Sequence, residues 1–343
     1  MEVPMTRLLT ILIFAAVAVS GQGRKVVLTM PGPPGSQFSA AEIEQLRKAA
    51  PGLRLVMPAA DQLRAEIAGA EAIVGPVSSQ LLADAKNLKW LQVPSAGVEG
   101  YLRNAEFRIG PVVLTNGKIV QGPEIADHAM ALLLALTRQI PRAIRAQASE
   151  SWEGRGVPLV ELRGKTAVVV GVGGIGTQIA VRANAFGMKV IGVDPRDMPL
   201  LPFIERMVPP DRLDEVLPQA DVVFISAPHT ELSDKMMGPK QFDLMKREAY
   251  FIAVSRGRIY DMNALVQALD SKKLAGAGVD VTDPEPLPKG HPLWKFDNAV
   301  ITPHLAGRSD GEHARYFDLY RENLRRFDRG EPLLNVVDKQ KGY

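Results

Sequence analysis

An apolar run, Thr166–Val170, passes directly into Gly171-Val172-Gly173-Gly174-Ile175-Gly176, and a second run, Lys189–Val193, ends on Asp194. A β-branched run, a glycine turn, a helix-length spacer, another run and an acid, in that order, leave few choices of fold. The first glycine permits a tight turn, the second lets a pyrophosphate approach the backbone, and the third lets the helix pack on the strand. The start of that helix offers unpaired N–H groups to phosphate oxygens. Asp194 stands eighteen residues after Gly176, where a carboxylate accepts from the ribose hydroxyls of NAD and repels a 2′-phosphate. Alone, the hexapeptide is weak, because glycine-rich turns are common, and Asp194 alone reads equally well as a cap. In register, they predict a site for NAD, with Arg196 two residues on keeping NADP open.

The alternation extends both ways along the chain. Upstream, strand-like runs at 25–30, 54–57, 72–75, 88–93 and 112–115 are interspersed with helical patterns such as 40–50 and 61–68. Downstream, runs at 221–226, 250–254, 277–281 and 299–302 continue the second series. Continuous apolar runs between helices predict parallel sheets buried on both faces. Residues 123–148 read as a helix whose apolar centre, 129–136, is the expected dimer surface. Pro123 and Glu124 suit its start, and Pro141 is expected to kink or divide it. A last helix is expected over 312–327.

Composition narrows the function classes. The 343 residues carry a net charge of only +3 with no basic run, which disfavours nucleic acid. The chain has no cysteine, so disulfides, thiolate zinc sites and a cysteine nucleophile are excluded, and no metal is expected. Residues 1–20 combine Arg7, an apolar run from Leu8 to Val19 and small residues before Gly21, the layout of a secretory signal peptide. The run is too short to span a bilayer, whose core is roughly 30 Å thick. Export to an extracytoplasmic space such as the periplasm is expected if that signal works, and a cytoplasmic protein otherwise.

Three further strand ends carry chemistry. Arg256 follows the run at 250–254, and a guanidinium can grip a carboxylate with two parallel hydrogen bonds. Residues 278–287 leave another run and present several acids, among them Asp280 and Glu285. His304 follows the run at 299–302, and histidine is the side chain best suited to exchanging protons near neutrality. An isolated arginine, acidic turn or histidine is usually structural. These three leave the edge of the sheet that also carries the glycine turn, the edge where open α/β sheets bind ligands.

These segments, with VPSAGVEGY at 93–101, PEIADHAMALLLALTR at 123–138, SAPHT at 226–230, AGAGVDVTDPEPLP at 275–288 and HPLWKFDNAVITPHLAG at 291–307, resemble the D-isomer-specific 2-hydroxyacid dehydrogenase family over roughly 24–338. The resemblance implies an α/β fold of two doubly wound domains. A Rossmann NAD-binding domain (122–307) is inserted in a flavodoxin-like substrate domain (24–121 and 308–343), with a homodimer expected. It implies a hydride transfer between NAD(H) and a small D-2-hydroxy or 2-oxo acid, with Arg256, Glu285 and His304 catalytic. Ser95, Ala96 and Gly97 would complete the substrate carboxylate pocket with Arg256. Coenzyme contacts are expected at Gly171, Gly173, Gly174, Ile175, Gly176, Asp194, Ala227, Val254 and Asp280, the last near the nicotinamide amide. Ala253 departs from the family's usual asparagine, His229 from a leucine and Asp127 from a glutamate. The competing expectation is a non-catalytic, NAD-sensing protein of the same fold. A formate dehydrogenase is disfavoured, because that branch replaces Glu285 by glutamine.

Overall fold

The computed structural model describes residues 23–29, 38–152 and 154–343; the expected signal segment lies outside the described residues. Strands β1 (Arg24–Leu28), β2 (Leu53–Val56), β3 (Ala72–Val74), β4 (Trp90–Gln92) and β5 (Val113–Thr115) form one parallel sheet in the order β2-β1-β3-β4-β5. That is the flavodoxin order. The second sheet contains β6 (Thr166–Val170), β7 (Lys189–Val193), β8 (Arg206–Val208), β9 (Val222–Ile225), β10 (Ala249–Ala253), β11 (Leu274–Val279) and β12 (Ala299–Ile301). Its order is β12-β11-β10-β9-β6-β7-β8, the Rossmann order with one strand added. Every residue of β9 and β10 is buried, which is why these strands read as unbroken apolar runs rather than alternating ones.

One strand differs from the sequence expectation, and the division expected at Pro141 is present. Strand β8 has no apolar run to announce it, since only Val208 of its three residues is buried. The helical stretch after β5 is two helices, Gly122–Thr137 and Ile140–Ala148, parted by Gln139 at φ 55°. The break falls just before Pro141 because proline is accepted in a first helical turn but not further in.

The apolar centre of the first of these helices is not available as the expected dimer surface. Ala129, Met130, Leu132, Leu133 and Leu136 are buried within the chain, against the second sheet. Gly278 and Gly276 on β11 make the approach possible. A Cβ added there would lie 2.8 Å from the Leu132 Cβ and 3.0 Å from the Leu136 Cδ2. The exposed apolar side chains lie further on, at Ile140, Ile144 and Trp152.

The last helix, Glu312–Arg329, returns to the first sheet and buries Tyr316, Phe317, Leu319, Tyr320 and Leu324 with Val26, Leu28, Val74 and Trp90. A buried polar chain ties them together. Trp90 Nε1 donates to Thr115 Oγ1, whose hydroxyl donates to Gln92 Oε1, which also accepts from Asn323 Nδ2. Among the described residues no helix is long and apolar enough to cross a membrane.

Candidate active site

The glycine turn sits where the strand order of the second sheet reverses, between β6 and β9, the place where α/β sheets open a crevice. Gly171 adopts φ 89° and lies so close to Ala227 that a side chain would collide with the Ala227 backbone. A Cβ on Gly174 would lie 2.7 Å from the Ile119 Cα, and one on Gly176 would overlap the Gly171 carbonyl. Gly173 is different, because a Cβ there meets nothing within 4 Å. It also caps the helix Gly174–Ala185 without a side-chain acceptor. Protein packing therefore explains three of the glycines, and the open space at the fourth, beside unpaired N–H groups, fits a pyrophosphate. Ile175 is half-buried in the first turn of that helix, and Val254 is buried just after β10.

Asp194 ends β7 as expected, but its acceptor capacity is spent on the turn. Oδ2 accepts from the Val172 N–H at 2.9 Å and from Arg196 Nη2 at 3.0 Å. Oδ1 accepts from the Arg196 N–H at 3.0 Å and from Nε at 2.8 Å. A carboxylate has about four acceptor positions, so ribose hydroxyls find this one occupied until Arg196 swings away. Burial alone would raise the Asp194 pKa; the hydrogen bonds and charge of Arg196, with the Val172 N–H, outweigh burial and hold it below its ordinary value. Arg196 is half-exposed beside it, its guanidinium paired with Asp194 and donating to the Val172 carbonyl at 3.0 Å.

Arg256, Glu285 and His304 leave the C-terminal ends of β10, β11 and β12, which are neighbours in the sheet. His304 Nδ1 lies 2.8 Å from Glu285 Oε2, while Glu285 Oε1 accepts from the Thr282 N–H at 2.9 Å. A carboxylate only accepts, so Nδ1 carries the proton and Nε2 is the nitrogen left for chemistry.

Asp280 is buried behind the His304 loop, and its carboxylate is taken up by donors of that loop. Its Oδ1 accepts from Thr302 Oγ1 at 2.6 Å and from the Leu305 N–H at 3.0 Å, and its Oδ2 from the Ala306 N–H at 2.9 Å. The Asp280 carbonyl also takes the His304 N–H, at 2.9 Å. These bonds hold His304 at φ 49°, a left-handed conformation that a non-glycine residue keeps only when its surroundings impose it. His128 Nε2 reaches Thr302 Oγ1 at 2.8 Å. Because the threonine hydroxyl gives its one hydrogen to Asp280, His128 must donate from Nε2.

The first sheet contributes the loop after β4. The carbonyls of Ser95, Ala96 and Gly97 accept from the Gly117 N–H, Asn116 Nδ2 and Ser95 Oγ respectively. Arg256 reaches this loop from the other sheet. Its Nη1 donates to the Ser255 carbonyl at 2.7 Å, and its Nη2 lies so close to Gly97 that a side chain there would collide with it. Its Nε donates to Glu99 Oε1 at 3.1 Å. Sequence reasoning passed over Glu99, although it stands two residues beyond Gly97; its partner lies 157 residues away. Thr302 and His128 were likewise visible only as parts of longer motifs.

Comparison with known proteins finds relatives of the same fold. Residues 130–306 match the family model for the NAD binding domain of D-isomer specific 2-hydroxyacid dehydrogenases. A D-3-phosphoglycerate dehydrogenase of Archaeoglobus fulgidus is 32% identical over 288 residues, covering 81% of this chain but only 53% of that protein. A glyoxylate reductase of Korarchaeum cryptofilum is 32% identical over 275 residues, 78% of this chain and 81% of the relative. Among solved structures, a D-isomer specific 2-hydroxyacid dehydrogenase from Xanthobacter autotrophicus in complex with NADPH and MES superposes with a TM-score of 0.77. That match has 27% identity over 94% of this chain and all of the other.

Proposed function

The chain belongs to the D-isomer specific 2-hydroxyacid dehydrogenase family, and from that premise we propose that it is an NAD(P)-dependent reductase of small 2-oxo acids, such as glyoxylate or hydroxypyruvate. The observation that carries the reading is the 2.8 Å pair between His304 and Glu285 at the strand rim. The coenzyme, when bound, supplies or accepts the hydride. Gly173 and the N–H groups of the helix it starts hold the pyrophosphate, and Arg196 serves a 2′-phosphate where Asp194, once released, serves ribose hydroxyls.

The remaining work falls to this chain's own side chains. Arg256 and the N–H groups of Ala96 and Gly97 hold the substrate carboxylate, which places the 2-oxo group beside His304. His304 Nε2 gives its proton to the carbonyl oxygen in reduction and recovers it in oxidation. Glu285 keeps the proton on Nδ1 and stabilises the ring while it is charged. Residues 24–121 and 308–343 then form the substrate unit, and 122–307 the coenzyme unit.

Two finer expectations belong to the same reading. Ile140, Ile144 and Trp152 offer the apolar surface for a homodimer, which light scattering would test. An export signal at residues 1–20 predicts a mature protein starting near residue 21, which N-terminal sequencing would test. The experiment for the reading as a whole is a screen of 2-oxo acids for oxidation of NADH and NADPH, with and without residues 1–20. Reduction of at least one 2-oxo acid is expected, and binding of coenzyme without any turnover would refute the reading.

A further inference from the structure

Glu99 is an acid placed where the substrate's own acid must bind. It lies on the short helix Glu99–Leu102, just beyond the Ser95–Gly97 loop, and joins the two sheets through Arg256. Both side chains are about one-third exposed, so the pair sits at the wall of the cleft. The guanidinium is held on two sides, by Glu99 at Nε and by the Ser255 carbonyl at Nη1. Those bonds fix its rotation and leave Nη2 against Gly97. Glu99 therefore decides which way Arg256 faces. It also offsets most of the charge that Arg256 brings, while the proton on His304 is matched by Glu285.

We propose that Glu99 is the positioning and specificity-determining residue of this site: it orients Arg256 toward the Ser95–Gly97 loop and restricts the pocket to 2-oxo acids carrying a single negative charge. The inference rests on the reading of Arg256 as the carboxylate-binding residue. The physical reason is Coulombic. A second negative charge on the ligand doubles both its attraction to Arg256 and its repulsion by Glu99, so Glu99 cancels for a dianion about twice the Coulombic gain that it cancels for a monoanion. A phosphorylated or dicarboxylic substrate thus loses most of the advantage that its extra charge would have at an unpaired guanidinium, whereas a monoanion loses less and is held by the N–H groups that Glu99 leaves free.

Oxamate and oxalate test this directly, because they have nearly the same shape but carry one and two negative charges at neutral pH. Their dissociation constants are measured by calorimetry on the full chain saturated with NADH, for the wild type, Glu99→Gln and Glu99→Ala. Glutamine keeps an acceptor for Arg256 Nε and removes the charge. It is expected to tighten oxalate about tenfold and oxamate about threefold, the logarithm following ligand charge. Alanine also frees the guanidinium, and is expected to raise KM for hydroxypyruvate about tenfold relative to the glutamine variant. Coenzyme affinity, measured by NADH fluorescence, checks that each variant is folded.

Equal shifts for the two ligands in Glu99→Gln would overturn the charge restriction. Matching KM values in the two variants would overturn the positioning role. Either result, with hydroxypyruvate still reduced, would leave the proposed function standing. If neither oxamate nor oxalate binds the wild type, the assignment of Arg256 falls, and this inference with it.

Discussion

The seven-stranded sheet gives each of its carboxylates at least one backbone N–H donor beside the side-chain ones, whereas the five-stranded sheet fixes its loop with one backbone donor, from Gly117, and otherwise with side chains. In the former, Asp194 takes N–H groups from Val172 and Arg196, Asp280 from Leu305 and Ala306, and Glu285 from Thr282. In the latter, the Ser95–Gly97 loop leans on Asn116 Nδ2 and on its own Ser95 hydroxyl, and Glu99 is met by an arginine of the other sheet. Backbone donors are present whatever the sequence, so a carboxylate placed just after a strand finds them and sets rigidly. Side-chain partners exist only if the residue at a distant position is the right one. The coenzyme half is thus self-sufficient, and the substrate half depends on its neighbour.

Removing the group that the rigid half exists to hold should have the largest effect. His304→Ala is expected to lower kcat by about 10²–10⁴-fold, the usual worth of an acid–base group, with NADH affinity little changed. Full turnover in that variant would dissolve the distinction between the two halves.

The glycines sharpen it next. Gly173→Ala should leave the melting temperature close to that of the wild type, because the methyl enters open space, yet raise the coenzyme Kd about tenfold. Gly171→Ala should do the reverse first, destabilising the fold by about 1–3 kcal/mol through its positive φ and its contact with Ala227. Thermal unfolding and fluorescence titration of the two variants side by side would separate packing glycines from the binding glycine.

A smaller effect is expected at the pair that caps the glycine turn. Arg196→Ala removes a cation and releases Asp194, so NADPH affinity should fall about tenfold while NADH affinity holds or improves. Equal losses for the two coenzymes would show that the pair only braces the turn. The smallest effect belongs to the half built on side chains. Hydrogen bonds from Arg325, followed by those from Arg326, pull the Glu322 carboxyl down to about 2. A lowered folded pKa stabilises above the ordinary value of 4.5, and that gain is lost as the pH falls from there toward 2. Glu322→Gln should therefore cost at most about 0.5 kcal/mol at neutral pH, since exposed pairs are screened, and nothing in strong acid.

The same contrast explains what could be read in the amino-acid sequence. Strands β6 and β7 lie at the residues expected, 166–170 and 189–193, because burial on both faces demands unbroken apolar runs. Strand β8 has no such run and was not visible. The positions of Asp194, Glu285 and His304 at strand ends were legible, but not the tasks of all of them. An aspartate after a strand reads the same whether it awaits a ribose or already holds an arginine, and only the folded turn shows the four donors around Asp194. The bonds of Asp280 are hidden in the same way, since nothing local says that residues 302–306 fold back over it. Glu99 was obscured for the opposite reason: nothing near it in the chain needs a carboxylate. The helix centred on 129–136 reads as a subunit contact because its long apolar face demands burial, and the two glycines of β11 that admit it lie far downstream.

Asn323, near the end of the chain, completes a polar core whose other members, Trp90, Gln92 and Thr115, come from strands laid down more than two hundred residues earlier. During synthesis the middle of the polypeptide has every strand of its own sheet before that asparagine leaves the ribosome. The earlier strands must wait with one apolar face only partly covered, by Ile43 and Leu46 of the helix Ala40–Ala49, until the closing helix arrives. A ribosome stalled in the last stretch would thus leave a nascent chain with a finished nucleotide crevice and an unfinished acid pocket, and the exposed face of β1, β3 and β4 is where a chaperone would have most to cover.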